Sequence, residues 1–290
     1  MSESFPIVAG SKALRALKGD FDRLPTEEPR EGSYYSPETV YRNFLAMSIA
    51  FSMNHACVVT CLAYASAELG DYIGSISSGV LYITFAVTAF LLSKPVVSAV
   101  GSKRALLIGV TGYCVYVAGF LVALIVDGAL AWLAWTIMCL SAGVGGAAGG
   151  LLWTAQGRYF SLHARLYSDA LGLPVERANS TFAGLFAMAF LGTETLTKLL
   201  ATVVFLVSPG SAPYIVFSLY TLIALASCVV VSALNDLDDH GVADLSYTTV
   251  SSHAGSAARM VYNDRRMVLI IPFQLVSLLG RYSLAHHRTC

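Results

Sequence analysis

Four polar residues lie in two strongly apolar stretches of the sequence, where charged and titratable side chains are costly and usually functional. In "GTETLTKLL", Glu194 and Lys198 are four residues apart, which places them on one face of a helix with the acid first. Asn54 and His55 are neighbours in "AFSMNHACV", and histidine titrates near neutral pH. These residues are candidates for an intramembrane polar site that binds a coupling ion, a proton or an anionic group. Two structural alternatives remain, namely a self-neutralising ion pair and hydrogen bonds between helices.

A glycine-rich stretch, "GVGGAAGGLLWTAQGRY" (143–159), raises the possibility of phosphate binding. It contains the dinucleotide fingerprint G-x-G-x-x-G/A, but that motif follows a β-strand, whereas the apolar run "ALAWLAWTIMCLSA" precedes it here. The same stretch contains two overlapping G-x-x-x-G pairs, which let neighbouring membrane helices approach closely. The sequence therefore favours helix-packing glycines over a phosphate site; they are Gly145, Gly146, Gly149 and Gly150.

The elements that position these residues are apolar blocks of membrane-spanning length. Of the 290 residues, 56% are hydrophobic and 12% charged, against about 25% charged in a soluble domain. A spanning helix needs roughly 20 apolar residues, and six blocks reach that length: 40–66, 72–99, 104–126, 129–157, 182–207 and 213–234. We expect an all-α membrane protein with six spans between a tail (1–39) and a loop (235–266), followed by an incomplete seventh helix and tail (267–290).

The basic residues predict the orientation of the spans. Fifteen lysines and arginines lie before span 1, around the links between spans 2 and 3 and between spans 4 and 5, and after span 6, whereas the alternate links hold none. By the positive-inside rule, the N-terminus and the 235–266 loop are cytosolic. Trp153 and Tyr159, at the cytosolic end of span 4, are expected in the interfacial belt of aromatic residues.

Several functions are disfavoured by composition. Eighteen basic and eighteen acidic residues cancel, so nothing indicates nucleic-acid binding. Five of the six cysteines fall in apolar blocks and none forms a C-x-x-C pair, so we expect no metal site or cofactor. "SISSG" (75–79) lacks the glycine of an intramembrane serine protease, and His55 precedes it. We therefore expect no catalytic activity.

Three motifs resemble the uncoordinated-93-like (Unc-93-like) proteins, a branch of the major facilitator superfamily. The stretch 143–159 resembles that branch's glycine-rich fourth span and W-x-x-Q-G-x-Y signature, here Trp153, Gln156, Gly157 and Tyr159. "VGSKRALLIGVTGYCVYVAGF" (100–120) resembles the opening of its third span, and "NDRRMVLIIPFQL" (263–275) its entry to span 7. The resemblance implies the N-terminal half of a major facilitator fold, in which spans 1, 2, 4 and 5 line a central cavity.

The resemblance also implies a function. Members of that branch are regulatory subunits of ion channels or trafficking partners of receptors, so a lipid bilayer and a channel or receptor subunit are the expected partners. The alternatives are a secondary transporter of a small solute or ion, and a truncated product without function. A transport pathway would need a second half or another protomer. In the loop between spans 2 and 3 the chain keeps Gly101, Lys103 and Arg104 but lacks the superfamily's aspartate, which puts its charge network in doubt.

Overall fold

The computed structural model describes residues 35–127 and 130–237. Within these ranges the chain is helical, and six helices are long and apolar enough to cross a membrane, which confirms the predicted all-α, six-span fold. Span 1 is Pro37–Leu69, span 3 Ser102–Asp127, span 4 Ala131–Leu171, span 5 Val175–Val207 and span 6 Ala212–Ala233; span 2 comprises Asp71–Val87, Thr88–Leu92 and Ser93–Val100. Most of the predicted tail and loop, and all of the predicted seventh helix, lie outside the described residues.

Local sequence signals set where the helices begin and end. Span 1 starts after Ser36, whose hydroxyl accepts a hydrogen bond from the Thr39 amide at 3.3 Å, with Pro37 in the first turn. Span 4 continues well beyond its apolar stretch and ends at Gly172, which has φ of 64°; glycine adopts this left-handed conformation without steric cost. Pro174 then caps span 5. A break of three residues therefore joins the two helices.

Span 2 contains a wider, π-helical turn at Thr88–Leu92. Pro95 follows within the continuing helix Ser93–Val100. A proline inside a helix cannot donate its backbone hydrogen bond, and its ring clashes with the carbonyl four residues earlier. The wider turn immediately before Pro95 relieves that conflict locally, so the helix continues to Val100.

Span 1 lies at the centre of the bundle and packs against all five other spans. Its inner side chains, such as Phe44, Met47 and Phe51, are fully buried. Spans 3 and 4 form the most extensive pair, because the glycines of both helices let their backbones approach. Spans 2 and 5 are the least covered: 17% and 11% of their apolar stretches are buried, against 61% for span 1.

Candidate functional site

His55 lies in a cage of aromatic side chains contributed by four spans. The ring centroids of Trp153 and Phe190 are 5.2 and 5.1 Å from that of His55, and those of Phe51 and Tyr113 are 6.1 and 5.9 Å away. The Nδ1 atom of His55 is buried and has no hydrogen-bond partner among the described residues. A neutral imidazole with Nδ1 as the unprotonated nitrogen fits this environment best, because a buried N–H without an acceptor would be costly.

Glu194 lies one helical turn beyond Phe190 and connects the cage to a lysine. Its Oε1 atom accepts a hydrogen bond from Lys198 Nζ at 2.5 Å, and the ring of Phe190, four residues earlier, stacks on the His55 imidazole. The Glu194 side chain is 19% exposed and that of Lys198 49%. The structure thus pairs Glu194 with Lys198 and places this pair one helical turn from Phe190, which packs on His55 where spans 1 and 5 meet.

Asn54, the fourth predicted residue, lies on another side of span 1. Its Nδ2 atom donates to the carbonyl oxygens of Val110 on span 3 and Ala224 on span 6, at 3.3 and 3.4 Å. Successive residues of a helix are about 100° apart around its axis, so Asn54 and His55 face different neighbours. Asn54 therefore joins three helices and is separate from the group around His55.

A second buried polar cluster lies near one end of the bundle and is absent from the sequence prediction. Asn43 Nδ2 donates to Tyr159 Oη at 2.7 Å and to the carbonyl of Asn235 at 3.1 Å, and it lies 3.2 Å from His163 Nε2. The Asn235 amide donates back to Asn43 Oδ1 at 2.9 Å. His163 Nδ1 lies 2.9 Å from the Tyr159 carbonyl, which can only accept, so Nδ1 carries a proton. The signal in the sequence was a pair of polar residues, Asn43 and His163, on otherwise buried helix faces.

Tyr159 is buried among the spans. Asn43 satisfies its hydroxyl, and its ring stacks on His163 with centroids 3.9 Å apart. Trp153 likewise packs edge-on against the rings of His55 and Phe51. Both aromatic side chains therefore have specific partners within the bundle, and their depth in the membrane stays a prediction.

The four predicted packing glycines of span 4 each face a neighbouring helix. A Cβ atom on Gly145 would lie 2.7 Å from Tyr116 Cβ of span 3, and one on Gly149 would lie 2.7 Å from Tyr113 Oη. Gly146 faces Thr84 and the Leu81 carbonyl of span 2, and a Cβ on Gly150 would lie 2.7 Å from the backbone nitrogen of Ala89. Adjacent glycines thus alternate between two partners, which places span 4 in close contact with spans 2 and 3 together.

The remaining motif residues have mixed environments. Gln156 is buried, whereas Gly157 is open, with no atom within 4 Å of where a Cβ would stand. Gly101 joins spans 2 and 3 with φ of 84°, a conformation that favours glycine. Lys103 and Arg104 follow in the first turn of span 3, where Arg104 is exposed. In the described part of the chain, no three His, Cys, Asp or Glu side chains converge as a metal site.

The six apolar helices of membrane-spanning length define a multi-pass integral membrane protein. Comparison with known proteins names its family: the family model described as "Ion channel regulatory protein UNC-93" matches residues 66–282. The chain belongs to the UNC-93 family.

Other comparisons are more limited in extent. The chain is similar to UNC93-like protein 3 of Arabidopsis thaliana, with 31% identity over 134 residues. That alignment covers 44% of this chain and 26% of the relative, so the chain matches about a quarter of the curated protein's length. No solved structure matches the chain.

Proposed function

We propose that the chain is a non-catalytic regulatory subunit that acts on an ion channel or receptor within the membrane. The observation that carries the proposal is the family match over residues 66–282, which includes spans 2 to 6 and whose description is ion channel regulation. The polar groups fit a structural and regulatory role. Glu194 is already bonded to Lys198, and Asn54 and Asn43 satisfy backbone carbonyls of neighbouring helices.

The proposal includes an orientation in the bilayer and membership of a larger fold. The positive-inside bias supports a cytosolic N-terminus and a cytosolic 235–266 loop. The motif resemblance supports the N-terminal half of a major facilitator fold, with a second half or another protomer completing any central pathway. The low burial of spans 2 and 5 supports this assembly, because those spans have the most surface left for a partner.

A secondary transporter is the second candidate, and the His55 cage favours it. His55 of span 1 packs on Phe190 of span 5, one helical turn from the Glu194–Lys198 pair, and transporters place substrate sites near mid-membrane between repeats. Such a protein would move an ion or proton with the help of His55 and Glu194. The two candidate functions differ in whether the purified chain, without a partner, carries ions across a membrane.

A reconstitution experiment separates them. The purified chain is placed in lipid vesicles that contain a pH-sensitive dye, and proton and cation fluxes are recorded for wild type, His55→Gln and Glu194→Gln. The regulatory proposal expects all three to match empty vesicles. Flux that requires His55 and Glu194 would replace it with the transporter candidate.

A recording in cells tests the regulatory activity itself. Removal of the chain from cells that express it should change the amplitude of a membrane current or the surface abundance of its channel, and re-expression should restore it. Unchanged currents and unchanged surface abundance of channels and receptors would contradict the proposal.

A further inference from the structure

Spans 3 and 6 contribute one cysteine each to a contact near the surface of the bundle. Cys114 of span 3 and Cys228 of span 6 are free thiols. The Sγ atom of Cys228 lies 4.0 Å from Oγ1 of Thr111 on span 3, and the thiol of Cys228 interacts directly with that of Cys114. Thr111 and Cys114 are three residues apart, so they share one face of span 3. These contacts place the two sulfur atoms next to each other.

The packing of spans 3 and 6 supports this contact from both sides. Phe120 of span 3 packs against Phe217 of span 6, with ring centroids 5.5 Å apart, whereas Thr111 contacts Cys228. The order of these contacts is reversed between the two helices, so spans 3 and 6 run antiparallel. Cys114 lies between Thr111 and Phe120 in span 3, and the two helices pack extensively. The sulfur pair therefore lies within a continuous helix–helix interface.

The depth of the pair decides which reagents reach it. Cys114 is twelve residues after the start of span 3 at Ser102 and thirteen before its end at Asp127, about 18 Å or more from either end at 1.5 Å per residue. Cys228 is half-buried, and Thr111 beside it is exposed on the outside of the bundle. Water-soluble thiols such as glutathione do not enter a hydrocarbon core, whereas peroxides formed from lipids do. The pair is therefore accessible to membrane-soluble oxidants.

Other roles of membrane cysteines fit this pair less well. Most buried cysteines act as small apolar side chains, and the fully buried Cys57 and Cys61 of span 1 fit that role. A metal site needs more ligands, and among the described residues no three His, Cys, Asp or Glu side chains converge on one point. Two thiols in contact on neighbouring helices are sufficient for a disulfide, which needs Cβ atoms about 3.8 Å apart.

We propose that Cys114 and Cys228 are a redox-sensitive pair, which a lipid hydroperoxide converts to a disulfide that joins spans 3 and 6. The more exposed sulfur, that of Cys228, takes one oxygen atom from the peroxide; the O–O bond breaks, the thiol proton leaves with the alcohol, and a sulfenic acid remains. The Cys114 sulfur then attacks the Cys228 sulfur, the S–O bond breaks, and water leaves with the second thiol proton. The new bond closes a loop that contains spans 4 and 5. The pair goes beyond the proposed regulatory function, and either stands if the other fails.

The test counts free thiols in membranes that contain the full chain, with cumene hydroperoxide as the oxidant. After treatment the membranes are dissolved in SDS with a maleimide that carries polyethylene glycol, so that each free cysteine adds one mass step on a gel. The six cysteines of the chain give the full ladder without oxidant. We expect the oxidised wild type to show two steps fewer, and a reductant added after denaturation to restore both.

Single substitutions identify the two cysteines that react. Cys114→Ala and Cys228→Ala should each abolish the loss of two steps. Cys57→Ala, which removes another thiol near Cys114, and Cys139→Ala, in span 4, are the matched controls and should still lose two. A full ladder in the oxidised wild type, a loss of two steps in either pair variant, or a loss that the reductant does not reverse would each overturn the proposal. The wild-type result alone is decisive in this way, whether or not a variant folds.

Discussion

At the scale of single residues, the Asn43 side chain makes polar contacts with three other residues. One amide side chain binds both backbone groups of Asn235 and also contacts Tyr159 and His163. These contacts join the start of span 1, the distal part of span 4 and the end of span 6. An asparagine suits the position because its amide offers a donor and an acceptor at once, and leucine offers neither.

Replacing Asn43 by leucine should therefore destabilise the bundle. Each buried group left without a partner costs about 1–3 kcal/mol, and the change affects the Asn235 amide, the His163 ring and the Tyr159 hydroxyl. Thermal unfolding in detergent measures the effect. Ser48→Ala is the matched control, because Ser48 is equally buried on span 1 but bonds only to the Phe44 carbonyl of its own helix, at 2.8 Å. Equal melting temperatures for the two variants would show that the cluster does not stabilise the fold.

The ion pair of span 5 predicts a specific pattern of single and double changes. Glu194→Gln leaves Lys198 without its partner, and Lys198→Met leaves Glu194 without its partner. A central charge costs about 2.5–3.5 kcal/mol on insertion scales, so each single change should lower the folded yield. Changing both should restore much of it, as expected for coupled residues. A double variant no more abundant than either single one would mean that the two side chains act independently.

At the scale of helices, the sequence predicts more of the packing than of the polar contacts. The G-x-x-x-G pairs indicate the contact side of span 4 because glycine spacing is a property of one helix. The Asn43 cluster depends on three segments that are more than 70 residues apart in sequence, and no local pattern encodes which of them meet. The same reason explains why Asn54 and His55, adjacent in sequence, have different partners.

Two span 4 glycines make a matched pair of substitutions. Gly150→Ala would place a Cβ 2.8 Å from the Phe85 carbonyl of span 2, and such overpacking costs about 1–3 kcal/mol. Gly157→Ala meets nothing within 4 Å and should gain up to about 1 kcal/mol in helix propensity. We expect the Gly150→Ala protein to melt below the wild-type temperature and the Gly157→Ala protein to melt above it. A stabilising Gly150→Ala change would show that span 2 moves aside without cost.

At the scale of the whole molecule, composition alone predicts a six-span membrane protein, since apolar blocks of this length have few other stable environments. The bounds of the spans are predicted less well. Span 4 extends fourteen residues past its predicted end at residue 157 to Leu171, because helix formation does not stop where the apolar stretch does. The stop comes from Gly172 and Pro174, a short local signal.

Orientation is tested by labelling introduced cysteines in intact cells with a membrane-impermeant thiol reagent. Ser251→Cys, in the 235–266 loop, should react only after permeabilisation if that loop is cytosolic. Gly210→Cys, in the exposed link between spans 5 and 6, should react without permeabilisation. The unsubstituted chain gives the background from its own cysteines. Labelling of the Ser251→Cys protein in intact cells would overturn the six-span orientation.

The length of span 4 has a mechanical consequence. Its 41 residues extend about 60 Å at 1.5 Å per residue, roughly twice the hydrocarbon thickness of a bilayer. About half of the helix therefore extends beyond the hydrocarbon core. This distal half does not stand alone, because Asn43 ties it to the start of span 1 and to Asn235 after span 6. A displacement of span 4 in the membrane would thus carry the start of span 1 and the end of span 6 with it.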